Sequence, residues 1–216
     1  MKAIGVNGSP RKKWNTATLL ENALEGAASQ GARTELVYLY ELDYKGCISC
    51  FGCKKKNGKS YGKCAVKDGL TAVLKRVREA DVIILGSPIY FGTVTGEMRS
   101  FLERLFFPLF TYTNPRGSLF SKKVRTAFIY TLGATKKLAR DRGFDKHIGA
   151  TERLMQMILG ASETLCSYDT YQFQDYSKVH APCFDAQKKA RVQAEVFPMD
   201  CEKAFRMGAR LVKELR

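Results

Sequence analysis

Cys47, Cys50, Cys53 and Cys64 fall within 18 residues as C-x2-C-x2-C-x10-C, whereas Cys166, Cys183 and Cys201 stand far apart. Three thiols within seven residues, with a fourth returned by a Gly- and Lys-rich excursion, suit four-coordinate thiolate ligation. Two occupants compete for such a set: a [4Fe-4S] cluster, which takes four cysteines and exchanges single electrons, and zinc, which would give structure alone. Free or structural thiols are the third reading. Lys54, Lys55 and Lys56 either offset the negative charge of a thiolate-bound cluster or form a solvated loop. A disulfide framework is disfavoured, because 216 residues with 45% hydrophobic side chains bury a core without staples.

A second constellation runs Asn7-Gly8-Ser9-Pro10-Arg11-Lys12-Lys13-Trp14-Asn15-Thr16-Ala17-Thr18. It places hydroxyls, amides and cations where a helix begins, and the unpaired N–H groups and positive dipole end of a helix N-terminus favour a phosphate. Ser9, Asn15, Thr16 and Thr18 can donate to its oxygens; the same residue types also cap helices and turns with no ligand at all. Neither G-x-G-x-x-G nor G-x-x-x-x-G-K-[ST] is present, which argues against a nucleoside triphosphate or a primary dinucleotide site. A third stretch, Ser87-Pro88-Ile89-Tyr90-Phe91-Gly92-Thr93-Val94-Thr95-Gly96, carries two adjacent aromatics and two glycines. Tyr90 or Phe91 can border a flat ring, and Gly92 lets backbone amides approach its polar edge.

The elements between these stretches must bring them together. Lys2 to Val6 reads as a strand, Thr16 to Ala28 as a helix and Arg33 to Leu39 as a second strand, closing a βαβ unit. Leu70 to Ala80 is a basic amphipathic helix, and Asp81 to Gly86 is the continuous apolar run of a central strand covered on both faces. Gly96 to Phe110 follows as a helix, Val124 to Thr131 as a fourth strand, Thr151 to Leu159 as a helix, Glu163 to Cys166 as a fifth strand and Pro198 to Leu215 as a closing helix. Alternation over the whole length predicts one α/β domain: a flavodoxin-like, doubly wound, five-stranded parallel sheet of order 2-1-3-4-5 with helices on both faces. Ligands of such sheets bind outside the carboxyl ends of strands one and three, where the second and third constellations meet. The cysteine-rich insertion occupies 46–68. An irregular excursion over 167–198, polar and aromatic, is expected to pack on a partner subunit or over the active site.

Gly8-Ser9-Pro10-Arg11 with Asn15-Thr16, and Ser87-Pro88-Ile89-Tyr90-Phe91-Gly92, resemble the FMN-binding motifs of the NADPH-dependent FMN reductase and iron-sulfur flavoprotein families. The resemblance covers about the first 130 residues. It implies an FMN phosphate held by Ser9, Arg11, Asn15, Thr16 and Ala17, and isoalloxazine contacts at Pro88, Ile89, Tyr90, Phe91 and Gly92. A third loop, Thr131-Leu132-Gly133-Ala134, matches less closely and adds Thr131. Trp14 stands where such proteins often have Gly. The C-x2-C-x2-C start resembles the cluster motif of iron-sulfur flavoproteins, whose fourth Cys usually follows sooner than it does here. The resemblance further implies a flavin-dependent oxidoreductase passing electrons from NAD(P)H or ferredoxin to a quinone, flavin or protein acceptor, as a homodimer or homotetramer. The alternative is a non-enzymatic electron carrier or redox sensor using the Cys47, Cys50, Cys53 and Cys64 set.

Composition removes other classes. A formal charge of +15 attracts polyanions, but its cations are scattered, with concentrations only at Arg11–Lys13, Lys54–Lys56 and Lys136–Lys137, and no nucleic-acid-binding signature accompanies them. Specific nucleic-acid binding is not expected. The absence of a long apolar run and of a signal-peptide pattern predicts a cytoplasmic protein without a membrane partner. His147 and His180 lie far apart with no hydrolase motif around either. The run Phe106 to Tyr112 has helical spacing suited to core or subunit packing.

Overall fold

A computed structural model describes residues 1–216. The chain forms β1 (Lys2–Asn7), α1 (Asn15–Ser29), β2 (Arg33–Tyr38), α2 (Leu70–Glu79), β3 (Val82–Tyr90), β4 (Thr93–Val94), α3 (Gly96–Leu109), β5 (Arg125–Thr131), α4 (Lys136–Asp141), α5 (Phe144–Leu159), β6 (Ser162–Ser167), α6 (Ala186–Arg191) and α7 (Phe197–Lys213). Five parallel strands run in the order β2-β1-β3-β5-β6. The period-two alternation of side chains sorts each strand between two cores. Ile83 and Leu85 of β3, with Phe128 and Tyr130 of β5, face the layer built by α2, α3 and α5. Val82, Ile84, Ala127 and Ile129 face α1 and α7. Such two-sided burial explains why β3 is apolar throughout rather than alternating.

The sheet differs from the expected five strands by a sixth. β3 runs past the sheet to Tyr90, turns at Phe91 and Gly92, and returns as β4, pairing Ile89 with Val94 and Tyr90 with Thr93 in antiparallel register. The order is therefore 2-1-3-5-6, with β4 paired to the far end of the central strand β3, not 2-1-3-4-5. The two turn residues have φ of +50° and +91°, the left-handed pair that a tight hairpin demands. The glycine signal read as an approach to a ring is thus first a turn requirement, and Phe91 accepts a conformation disfavoured for an aromatic.

Two helices escaped the sequence reading or were cut short. α4 is only six residues long, and α5 begins at Phe144 rather than Thr151. The excursion 167–198 is not wholly irregular, since α6 and a π turn at Val192–Val196 lead directly into α7.

Helices α1 and α7 approach to backbone contact because of two glycines. A Cβ on Gly208 would lie 1.8 Å from the Ala23 carbonyl oxygen, and one on Gly26 would lie 1.9 Å from that of Phe205. Gly208→Ala is expected to lower the thermal midpoint by roughly 5 °C, an overpacking cost of about 1–3 kcal/mol spread over a domain of this size. Thermal unfolding followed by circular dichroism checks this; an unchanged midpoint would show that the helices have room to part.

Candidate functional site

At the carboxyl ends of β1 and β3 the two candidate ligand loops are joined through one residue, Gly8. The Gly8 N–H donates to the Gly86 carbonyl at 2.8 Å, and the Thr95 hydroxyl donates to the Gly8 carbonyl at 2.6 Å. A Cβ on Gly8 would meet the Met98 Cβ at 2.7 Å, so the crossing admits no side chain. Thr95 also caps α3 by accepting from the Met98 N–H. One hydroxyl thus fixes the start of α3 to the first loop.

The first loop then folds back on itself. Ser9 N–H donates to Asn7 Oδ1 at 2.7 Å, and Arg11 N–H donates to Ser9 Oγ at 3.2 Å, an arrangement that leaves the Ser9 hydroxyl proton free. Trp14, at the N-cap of α1, offers no side-chain acceptor. The amides of Asn15, Thr16 and Ala17 therefore have no partner within the helix, and the first helical bond is Thr18 N–H to the Trp14 carbonyl. Asn7 Nδ2 is buried with no acceptor. Unpaired donors at a dipole's positive end, with Arg11 beside them, form an anion site.

Of the eleven residues the sequence nominated here, eight line one cleft: Ser9, Arg11, Asn15, Thr16, Pro88, Ile89, Tyr90 and Thr131. Thr16 and Thr131 hydroxyls meet at 2.8 Å, joining the first loop to the third. Ala17 is fully buried behind the cleft in α1 and offers only its backbone. Phe91 and Gly92 stand at the hairpin tip outside it, the Phe91 ring projecting fully into solvent and Gly92 facing the Phe144 ring.

A strap from the 167–198 excursion crosses this cleft, one of the two places the sequence offered for it, but none of its residues was nominated for the site. Thr170, Tyr171 and Gln172 form its far wall. The Tyr171 carbonyl accepts from Asn15 Nδ2 at 2.7 Å and from the Trp14 indole N–H at 3.0 Å, while the Gln172 carbonyl accepts from Arg11 at 2.6 Å. Trp14, the departure from the family pattern, anchors the strap and lies 5.0 Å under the Arg11 guanidinium. Buried Lys189 of α6 supports both strap and third loop, donating to the Gly133 carbonyl at 2.7 Å and pairing with Asp169 at 2.5 Å. The aromatic excursion signalled the strap's existence, but its register on Asn15 depends on contacts across more than 150 residues.

The four clustered cysteines line a second, apolar cavity with Phe51, Val66 and Phe107. Cys47 and Cys50 are exposed, Cys53 is buried and Cys64 is half-buried, and all four are free thiols. Burial pushes the Cys53 thiol up. Ser49 and Phe51 have positive φ, so the segment bends tightly around this cavity. As placed, no three of these groups surround a common point in the manner of metal ligands. Arg104, almost wholly buried on α3, donates to Cys64 Sγ at 2.9 Å and to both oxygens of Asp68. Lys54 is half-buried rather than solvated: it docks on the Pro108 and Phe110 carbonyls at the end of α3 and over the Phe107 ring, and its charge partly offsets the effect of burial on the Cys53 thiol.

Comparison with known proteins accords with this arrangement. The profile of the family described as NADPH-dependent FMN reductase matches residues 1–142. The chain belongs to that family. It is 41% identical over 104 residues to an iron-sulfur flavoprotein of Methanocaldococcus jannaschii, covering 48% of this chain and 51% of that protein. An iron-sulfur flavoprotein of Archaeoglobus fulgidus is 38% identical over 48% of each chain. The chain spans about half the length of these relatives. Among solved structures, an NAD(P)H:quinone oxidoreductase from Methanothermobacter marburgensis superposes with a TM-score of 0.69 at 14% identity, covering 98% of both chains. An FMN-dependent NADH-azoreductase from Bacillus anthracis, in complex with FMN, gives 0.64 at 13% identity over 98% of this chain and all of that one. These last two share the fold. No helix is long and apolar enough to cross a membrane.

The ion pair beside the thiols sets a pH dependence. The hydrogen bonds from Arg104 hold the Asp68 carboxyl below its ordinary value of 3.8. A depressed carboxyl contributes stability that is complete above that ordinary value and is lost as pH falls through the lower, folded one. Asp68→Asn strands a buried guanidinium and is expected to cost about 3 kcal/mol at neutral pH. The gap from the parent protein should narrow below the ordinary carboxyl value, as read by denaturant unfolding across that range; a gap independent of pH would contradict the pairing.

Proposed function

We propose that this chain is an FMN-dependent oxidoreductase that takes electrons from NAD(P)H or ferredoxin and delivers them to a quinone, flavin or protein acceptor. The observation that carries the reading is the convergence of eight nominated residues on one cleft that ends at the free amides of α1. That cleft encloses about 100 Å³, room for a phosphate and the start of a sugar chain but below the roughly 300 Å³ of a whole cofactor pocket. The ring end would therefore lie over the open rim formed by Pro88, Ile89, Tyr90 and the Phe91–Gly92 hairpin. Ser9, Asn15, Thr16 and the α1 amides would bind the phosphate, with Arg11 neutralising its charge. The strap at Thr170–Gln172 would orient Asn15 and Arg11 and limit water around the phosphate.

When bound, FMN supplies hydride acceptance and one-electron release, so no side-chain nucleophile is required. Tyr90, 43% exposed, and the fully exposed Phe91 would present an apolar platform beside the ring. Such a projecting aromatic suits coverage by a second copy, which supports a homodimer or homotetramer. Cys47, Cys50, Cys53 and Cys64 would hold a [4Fe-4S] cluster adding one-electron chemistry; their shared cavity and the iron-sulfur flavoprotein relatives support this assignment. The protein would work in the cytoplasm.

The decisive comparison uses two flavins. Arg11→Gln should weaken FMN binding about tenfold, as expected for loss of a charged hydrogen bond, and leave riboflavin affinity unchanged, because riboflavin has no phosphate. Fluorescence titration reads both. Equal losses for the two flavins would remove Arg11 from the phosphate site, and a protein that binds neither would overturn the reading. FMN-loaded protein should also oxidise NADPH or NADH when given a quinone; exchange of electrons with ferredoxin alone would make it a carrier.

A further inference from the structure

The largest cavity of the molecule is not the flavin cleft. It encloses about 680 Å³ between α2, α3 and the segment 63–68, and shares no lining residue with the cleft. That volume is within the range of pockets that hold small organic ligands, about 300–1,000 Å³. Its floor is apolar, built by Val66, Leu74, Leu105 and Pro108. Its rim is cationic, with Lys63, Lys67 and Arg78 around the mouth.

The charges there do not balance internally. Of the two carboxylates in the wall, Asp68 is taken by Arg104 at 2.8 Å and Glu79 is shared with Lys75 at 3.9 Å. Arg78 is half-buried and donates to a neutral acceptor, the Gly62 carbonyl. Burial holds its guanidinium below the ordinary arginine value, the sign of a desolvated cation without an anion to offset it. A partly buried cation stays stable most readily when it is paired. The wall therefore carries five cations, Lys63, Lys67, Lys75, Arg78 and Arg104, against the two carboxylates of Asp68 and Glu79, an excess of three positive charges over an apolar floor.

We propose that this cavity is a binding site for an amphipathic organic anion: an apolar ring or chain seated on Leu74, Leu105 and Pro108, with a carboxylate, sulfonate or phosphate against Arg78 and Lys67. The ligand class follows from charge complementarity at the rim and apolar area at the floor. Such a ligand touches Cys64 and Arg104 from the side opposite the thiol cavity, since both residues line the two spaces. The site is separate from the flavin and stands whether or not the flavin assignment holds.

The test is calorimetric titration of the full chain with anilinonaphthalene sulfonate, an apolar double ring carrying one anionic group, run on the protein as purified and repeated with added FMN. The parent protein should bind one equivalent, and Arg78→Gln and Lys67→Gln should each weaken that binding, the former about tenfold. Lys213→Gln, on the far end of α7, should leave it unchanged. Ala72→Phe plugs the mouth from the exposed side of α2 without removing a cation, and should also abolish binding while the thermal midpoint and FMN content stay at parental values. No binding by the parent, equal binding by R78Q and the parent, or full binding by A72F would each overturn the proposal.

Discussion

Gly8 ties the end of β1 both to β3 and to the start of α3. Its N–H is spent on the Gly86 carbonyl and its C=O on the Thr95 hydroxyl. Neither bond would form if a side chain held the Met98 helix away. The Gly8 N–H adds one more bond to the β1–β3 ladder, and Pro10, which has no N–H, lets the chain go no further as strand. It must turn toward α1, and the amides of Asn15 to Ala17 are left pointing at the crevice. The anion site is thus a by-product of how β1 ends, with Ser9 and Arg11 adding chemistry to a geometry set by backbone hydrogen bonds.

That geometry needs stiff support, and the two cores supply it from opposite faces. α1 is held on α7 by the close approach at Gly26 and Gly208, so the helix whose N-terminus forms the site cannot pivot. On the other face α3 is fixed at its start by Thr95, in its middle by Arg104 and at its end by Lys54. Arg104 is a buried cation answered by Asp68, and its remaining donors hold the 45–68 insertion through Lys45, Val66 and Cys64. The same helix therefore positions both the first loop, through Thr95, and the thiol set, through Arg104.

Much of this was legible in the residues themselves. The apolar run Val82 to Leu85 and the period-3.6 stripe of α1 express burial on two faces and one, so a parallel sheet with helices on both faces followed from alternation. The glycine and hydroxyl pattern from Gly8 to Thr18 marked a helix N-terminus able to hold an anion. What stayed hidden depended on long-range contacts. The hairpin at Phe91–Gly92 reads as a loop because the run from Gly86 through Pro88 looks like a strand ending. The strap at Tyr171 and the buried Lys189 carry no periodicity, and their role exists only when β5 and β6 bring the third loop alongside them. Of the two roles the lysine run offered, Lys54 keeps its charge beside Cys53, but it is not solvated, because its ammonium finds the carbonyl end of α3.

The central claim is that a flavin phosphate rests on the α1 N-terminus between the first loop and the strap. A crystal structure of the chain soaked with FMN tests it most directly. The account predicts phosphate oxygens within hydrogen-bonding distance of the Asn15, Thr16 and Ala17 amides and of Ser9 Oγ, with the ring beside Tyr90. A phosphate lodged away from those amides, with the flavin lying in the cavity between α2 and α3, would contradict it.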